Sequence, residues 1–324
     1  MKNILSAIGI AGTLLLGGQA SASELWAPQL PGADIGLAGG AAPPPGVYAI
    51  WMNYWAEYKG YGQAGGPTGG SHSNAGANLS ALVEVPILLW VPGVKILGGD
   101  FWTAIAQPFD YTSYGPTNSA STGSGNWGTY NTILFPAFVS WTFGDLHVAT
   151  GLRVHVANAS TTMSQVANGE WIGRKSGLPS GNGYWTIQPD VAISWLHDGW
   201  NLSAWWHFPV PVSSTTATDY NYRSGAQLEA DYTVAKTFGK WTVGIGAYQL
   251  NQFNSDTCSG VACPNYFGTH PSTNNHKIAT RFGMGPIVGY QFGGINVDLT
   301  VAQSIYTRND VGGLFANLRF IVPF

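Results

Sequence analysis

Charge is what this chain has least of. Lys, Arg, Asp and Glu make up 9% of its 324 residues, where roughly 25% is usual for a soluble domain. A water-facing surface is hard to build from so few charges, whereas a lipid-facing one needs few. The formal net charge of -3 gives no electrostatic footing for nucleic acid. Cysteine is scarce as well: Cys258 and Cys263, in CSGVAC, are the only two. In a secreted chain one close pair reads as a local loop disulfide, and the absence of CxxC spacing or a second pair speaks against metal. GxSxG and HExxH are missing, and GGAAPPPG has no Lys and no following helix, so it is not a phosphate loop. Ser71 and His72 in GGSHSN are adjacent, which rarely gives base–nucleophile geometry. No catalytic residue, metal or cofactor is assigned, and the chain reads as no enzyme.

A long apolar run is also missing, except at the start. There MKNILSAIGIAGTLLLGGQASASE has Lys2, a short apolar core and an Ala20-Ser21-Ala22 cleavage site. That is the pattern of a secretory signal peptide over 1–22. The uncharged stretch 111–144 is full of Gly, Ser, Thr and Asn and does not read as a membrane helix. If the chain spans a membrane, it must do so as a closed barrel, because only helices and closed barrels satisfy the backbone in lipid.

What is present is period-two alternation from Val47 to the end. In 184–195, Trp185, Ile187, Val191, Ile193 and Trp195 fall on one face, and Gln188 and Asp190 on the other. The last residues repeat it, with Leu318, Phe320, Val322 and Phe324 opposite Asn317 and Arg319. Strands are expected near 46–58, 77–91, 94–110, 128–143, 145–157, 183–196, 199–210, 220–236, 240–252, 277–291, 294–306 and 312–324. Many exceed the roughly 9–11 residues that a tilted membrane strand needs. Short connections such as FGDL, LHDGW, FGKW and FGGI alternate with long ones, and Trp and Phe crowd the short ones. This predicts an all-β, antiparallel transmembrane outer-membrane β-barrel of about 12 strands over 46–324. Outer-membrane lipid would surround it. An even strand count puts both termini at the short turns, the periplasmic side.

With apolar faces outward, the polar faces line the lumen. The expected solute path carries Glu84, Arg153, His155, Asp190, His207, Arg223, Glu229, Asp231, Arg281, Asp298 and Arg319. Signs are mixed, which argues against strong ion selectivity. Glu57, Lys95 and Asp100 have no clear face. About twelve strands enclose an intermediate lumen, fit for small solutes. The Pro/Gly-rich segment 23–45, with PGADIGLAGGAAPPPG, reads as a periplasmic lead or a plug folded into the barrel.

Several blocks resemble the outer-membrane family known as MetA-pathway of phenol degradation. They are PPPGVYAIWMNYW, GNGYWTIQPDVAISWL with DGWNLS, TDYNYRSG, VGIGAY and RFGMGPIVGY. The resemblance covers nearly the whole mature chain. It implies passive passage of small hydrophobic or aromatic compounds, and a C-terminal Phe324 read by the outer-membrane assembly machinery. HVANASTTMS and RND at 308–310 depart from the family pattern, as does the cysteine loop. The competing readings are a structural or surface-binding barrel without transport, and a general small-solute pore.

Overall fold

The computed structural model describes residues 27–61, 77–116, 126–159, 166–167, 170–171, 181–214, 222–258, 278–308 and 310–324. The signal peptide expected over 1–22 and the disulfide expected between Cys258 and Cys263 lie outside the described residues.

Twelve antiparallel strands close into a barrel. They are β1 (Gly46–Tyr61), β2 (Ala77–Val91), β3 (Gly99–Ala106, resuming as Phe109–Pro116) and β4 (Asn126–Thr129, resuming as Ile133–Phe143). Then come β5 (Leu146–His155), β6 (Thr186–His197), β7 (Trp200–His207, resuming as Val210–Pro211) and β8 (Gln227–Phe238). The ring ends with β9 (Trp241–Gln252), β10 (Thr280–Phe292), β11 (Ile295–Arg308) and β12 (Asp310–Pro323). Each strand pairs with its sequence neighbours, and β12 closes on β1 from Tyr48↔Pro323 to Tyr61↔Asp310. Closure removes every free strand edge, which is what lipid demands of a sheet.

The tight turns carry the backbone shapes that such hairpins require. Between β6 and β7, Asp198 and Gly199 have φ of 45° and 76°, the two positive values of a type I′ turn. Lys236 Nζ donates to Asp198 O at 2.5 Å and to its Oδ2 at 2.9 Å, and the ammonium lies 5.2 Å from the Trp200 ring. This long side chain thereby covers apolar surface while its charge stays at the rim. Trp90, Phe143, Trp241 and Phe292 are exposed at the same end, as amphipathic rings at a membrane interface should be. Phe324 is 81% exposed, and its backbone N–H donates to Val47 O at 2.9 Å.

Two strand expectations need correction. The strand expected over 94–110 starts at Gly99, because Lys95–Ile96 folds back on it through Leu97 and Gly98, both at positive φ. Lys95 Nζ pairs with Asp100 Oδ1 at 2.7 Å on that exposed hairpin. The strand expected over 220–236 runs instead over Gln227–Phe238. Arg223 lies beyond it, exposed, in a ribbon of Tyr222–Arg223 with Thr257–Cys258. It is not on the barrel wall.

A third correction concerns the face of β2. Ala81, Val83 and Val85 are buried in the interior, so Glu84 points outward. Its Oε2 accepts a bond from Trp51 Nε1 at 2.6 Å, and Trp51 is itself 48% exposed. Glu57 likewise faces out and accepts from Ser80 Oγ at 2.5 Å. Both faces of β2 are apolar around Glu84, so alternation alone could not orient it. Taking the Glu84 side of β2 as its polar face put the charge in the lumen, and the cost of a lipid-facing charge supported it. The indole N–H offsets part of that cost. Trp51→Phe removes this donor and is expected to lower the temperature at which the folded barrel loses its fast gel mobility. Adding Glu84→Leu to Trp51→Phe is expected to recover it.

Candidate functional site: the occupied lumen

Residues 27–45 run inside the barrel. Tyr130 Oη donates to Ala27 O at 2.8 Å near the long-loop end, and Tyr48 Oη donates to Pro44 O at 2.7 Å where β1 begins. Between these ends the wall holds the segment by its backbone. Tyr54 Oη donates to Pro31 O, Arg319 donates to Ala33 O and Ile35 O, and Asn201 donates to Gly36 O. In return, Gly36 N–H donates to Thr233 Oγ1 and Gly40 N–H to Ser194 Oγ. A Cβ on Gly40 would meet His147 O at 2.5 Å and Ser194 N at 2.7 Å, so the chain passes the wall at a distance only glycine permits. Ile35 is fully buried, and Tyr54 and Tyr248 both pack against Phe315 in the same cluster. Backbone buried without its own ladder must be satisfied by side chains, and β1, β6, β7, β8 and β12 supply them.

The lumen charges form groups rather than a scattered lining. In the first, Arg153 on β5 pairs with Asp190 on β6 (Nε–Oδ2, 2.7 Å) and with Asp34 of the inner segment (Nη2–Oδ2, 2.9 Å). Its Nη1 donates to Gln29 Oε1 at 2.8 Å. His207 on β7 places Nδ1 3.2 Å from Asp190 Oδ2 and Nε2 3.5 Å from Asp34 Oδ2. Asp231 on β8 accepts the Asp34 backbone N–H at 2.8 Å. Burial disfavours the Asp34 charge, but Arg153, His207 and Arg319 hold its carboxyl below the ordinary carboxylate range. His155 binds Gln188 Oε1 through Nε2 at 2.9 Å, beside this group.

In the second group, Arg281 grips Asp310 Oδ2 through Nε and Nη2 at 3.0 and 2.7 Å, and lies 5.6 Å from the Tyr58 ring. Glu229 is buried in the lumen as well. In the third, Arg319 pairs with Asp298 at 2.8 and 3.1 Å while holding the inner segment. Of the expected path residues, Arg153, His155, Asp190, His207, Glu229, Asp231, Arg281, Asp298 and Arg319 do face inward. Glu84 and Arg223 do not.

Asp34 and Asp310 escaped the sequence reading. Asp34 had a signal: it is the only charged residue between Glu24 and Glu57. In a Pro/Gly-rich segment, a lone carboxylate needs a partner if it is buried. Asp34, His207 and Asp231 bring possible metal-ligand atoms within 4.8 Å of one another. A cation there would meet the fixed charge of Arg153, already bound to Asp34 Oδ2.

The other side of the lumen is apolar. β1 to β4 turn Met52, Val85, Ile87, Trp102, Phe135 and Phe138 inward, with Trp102 stacked on Phe138 at 4.1 Å. Between this wall and Leu30, Ala33 and Leu37 of the inner segment lies a cavity of about 90 Å3. Its one polar corner is formed by Gln29, Asp34 and Arg153. The Arg153 guanidinium lies 4.9 Å from both the Phe135 and the Trp205 rings, within cation–π reach. Apolar wall, aromatic rings and a single polar corner together suit a small apolar guest.

Comparison with known proteins agrees with this architecture. The model of the family described as MetA-pathway of phenol degradation matches residues 62–320. Among curated proteins, none matches the sequence. Among solved structures, the chain is similar to the COG4313 outer membrane channel from Pseudomonas putida F1, at 12% identity and a TM-score of 0.68, over 88% of this chain and 97% of that one. The translocator domain of autotransporter NalP from Neisseria meningitidis aligns at 11% identity and a TM-score of 0.48, over 88% and 91%. The CymD monoaromatic hydrocarbon channel aligns at 10% identity and a TM-score of 0.39, over 86% and 89%.

Proposed function

Because the chain belongs to the family described as MetA-pathway of phenol degradation, we propose that this outer-membrane barrel is a passive channel for small hydrophobic or aromatic compounds. The observation that carries the reading is the apolar, ring-walled cavity inside the lumen, between β1–β4 and the inner segment. A guest there exchanges water for Trp102, Phe135 and the aliphatic wall. Burial of apolar surface is worth roughly 25 cal/mol per Å2. That attraction is weak enough for a small solute to leave again, as passage requires. Residues 27–45 form the constriction, since they occupy the lumen from the long-loop end to the start of β1. Residues 1–22 are the signal peptide, and Phe324 is the residue read during assembly. The lumen histidines serve structure rather than catalysis, His155 with Gln188 and His207 between two carboxylates.

The test is uptake of a panel of monocyclic aromatic compounds by cells with and without the protein, at solute levels low enough for the outer membrane to limit the rate. Faster uptake of a subset is the expected result. Equal uptake across the panel would reject the channel reading. Single-channel conductance would then separate a general small pore from a closed surface barrel. Arg223→Ala serves as a control: on an exposed ribbon off the wall, it is expected to leave both uptake and conductance unchanged.

A further inference from the structure

Glu84 stands on the lipid-facing side of β2, well away from either end of the strand. Trp90, six positions further on, is exposed at the short-turn end. At roughly 3.3 Å per residue and a tilt near 40°, Glu84 lies about 15 Å deeper, inside an apolar band about 25 Å tall. Charge elsewhere on the outer face lies near strand ends, as Lys236 does at the short turns and Lys59 toward the long loops. Trp51 Nε1 binds one oxygen of the Glu84 carboxylate, and the other has no partner among the described residues.

The residue beside it is polar as well. Asn53 is directly opposite Glu84 in the β1–β2 ladder. It faces outward too, since Met52 and Tyr54 on either side of it are buried. Asn53 Nδ2 donates to Leu318 O at 3.2 Å, toward β12 and away from Glu84. An amide nitrogen carries two hydrogens, so one donor is left open. Asn53 and Glu84 thus present an open donor and an open acceptor side by side, at nearly the same depth in hydrocarbon. Trp51 and Trp55 are exposed on the same face. Trp51 lies between Glu84 and the aromatic girdle rather than in it. Tryptophan favours the membrane interface, and it is also enriched where proteins meet.

We propose that this face of β1 and β2 is the interface of a dimer, formed in the membrane with a second copy of this chain. A two-fold axis along the membrane normal, passing between Asn53 and Glu84, sets Asn53 of each copy against Glu84 of the other. A two-fold interface must be self-complementary, and one open donor with one open acceptor per copy is so. Two reciprocal hydrogen bonds result. A protonated Glu84 makes the same pair by donating to Asn53 Oδ1. The same axis lays Trp51 of one copy over Pro86 of the other, and Trp55 over Leu82, because these residues are ladder partners too. Apolar contact alone cannot tell protein from lipid, so polar pairs and close packing hold spanning segments together. The face lies outside the lumen, so dimerisation is independent of what the channel passes.

The test is sedimentation equilibrium of the full chain, purified from outer membranes, in density-matched detergent micelles. A heat-modifiability gel confirms that each variant is folded. The expected result is a monomer–dimer equilibrium for the unaltered chain, weakened at least tenfold by Asn53→Leu and by Glu84→Leu separately. Either change removes both reciprocal bonds, so the double variant is expected to be no weaker than the single ones. Gln249→Leu, on the outer face of β9 between buried Tyr248 and Leu250, is expected to leave the equilibrium unchanged. A monomer at every protein-to-detergent ratio overturns the dimer, and leaves Glu84 to lipid or to a different protein that carries a base. A dimer that folded Asn53→Leu and Glu84→Leu leave untouched joins through another face, and overturns the proposal as well. If Glu84→Leu fails to fold, Asn53→Leu decides alone, since it alters no charge.

Discussion

Arg319→Met is expected to loosen the inner segment and open the lumen while the barrel stays closed. Arg319 is fully buried and does two things with one guanidinium. It neutralises Asp298 at 2.8 Å, and it donates to the Ala33 and Ile35 carbonyls at 2.9 and 2.8 Å. Methionine keeps much of the volume and supplies no donor. Asp298 then faces the interior without its partner, Ile35 O loses its donor, and Ala33 O keeps only Asn317 Nδ2 at 3.3 Å. Removing one member of a buried pair costs about 3–5 kcal/mol. The Asp298 pair joins β11 to β12, whose ladder remains, whereas the bonds to Ala33 and Ile35 join the segment to the wall, so it is the segment that is loosened. The check is single-channel recording beside a heat-modifiability gel. Longer or larger open events with an unchanged folded band are expected. Unchanged conductance would mean that the remaining anchors, Tyr54, Thr233, Asn201 and Ser194, hold the segment unaided.

Deleting residues 27–42 is expected to have the larger effect, a conductance increase on the order of tenfold, because a twelve-stranded wall without filling encloses a water path. The barrel is still expected to assemble, since β1 starts at Gly46 and every strand pairing remains. Thermal stability is expected to fall. Burial of a side chain such as Ile35 is worth roughly 1.5–3 kcal/mol, and Tyr54, Phe315 and Tyr248 lose apolar cover at the same time. Arg153, Asp190 and His207 lose Asp34 but gain water, so they cost less than the same charges left dry. Conductance equal to that of the intact chain would show that the segment does not close the pore.

Much of this molecule follows from local rules. Closure into about twelve strands was legible because lipid imposes one pattern on every strand, apolar out every second residue over a long run. Turn positions were legible for the same reason, since Gly and aromatic residues mark each short connection. Arg153, Asp190, Arg281 and Arg319 were placed inward by parity alone, and the structure agrees.

Parity fails where both faces of a strand are apolar. Glu84 was misplaced because β2 borders the apolar side of the lumen, so neither face declares itself. The Trp51 indole that meets its carboxylate lies on another strand, brought opposite only by the β1–β2 register. Arg223 was misplaced because its alternation continues into a ribbon that leaves the wall. By itself, then, the sequence determined the barrel, the strand count and, β2 and β3 apart, which strands carry lumen charge. The tertiary structure alone decided which charges meet, that Asp34 from the N-terminal segment joins Arg153 and His207, and that a cavity lies behind the break in β3. Alternation is a property of one strand and can be read from one strand. A contact across a lumen joins residues far apart in the chain, and no local pattern encodes which of them will face each other.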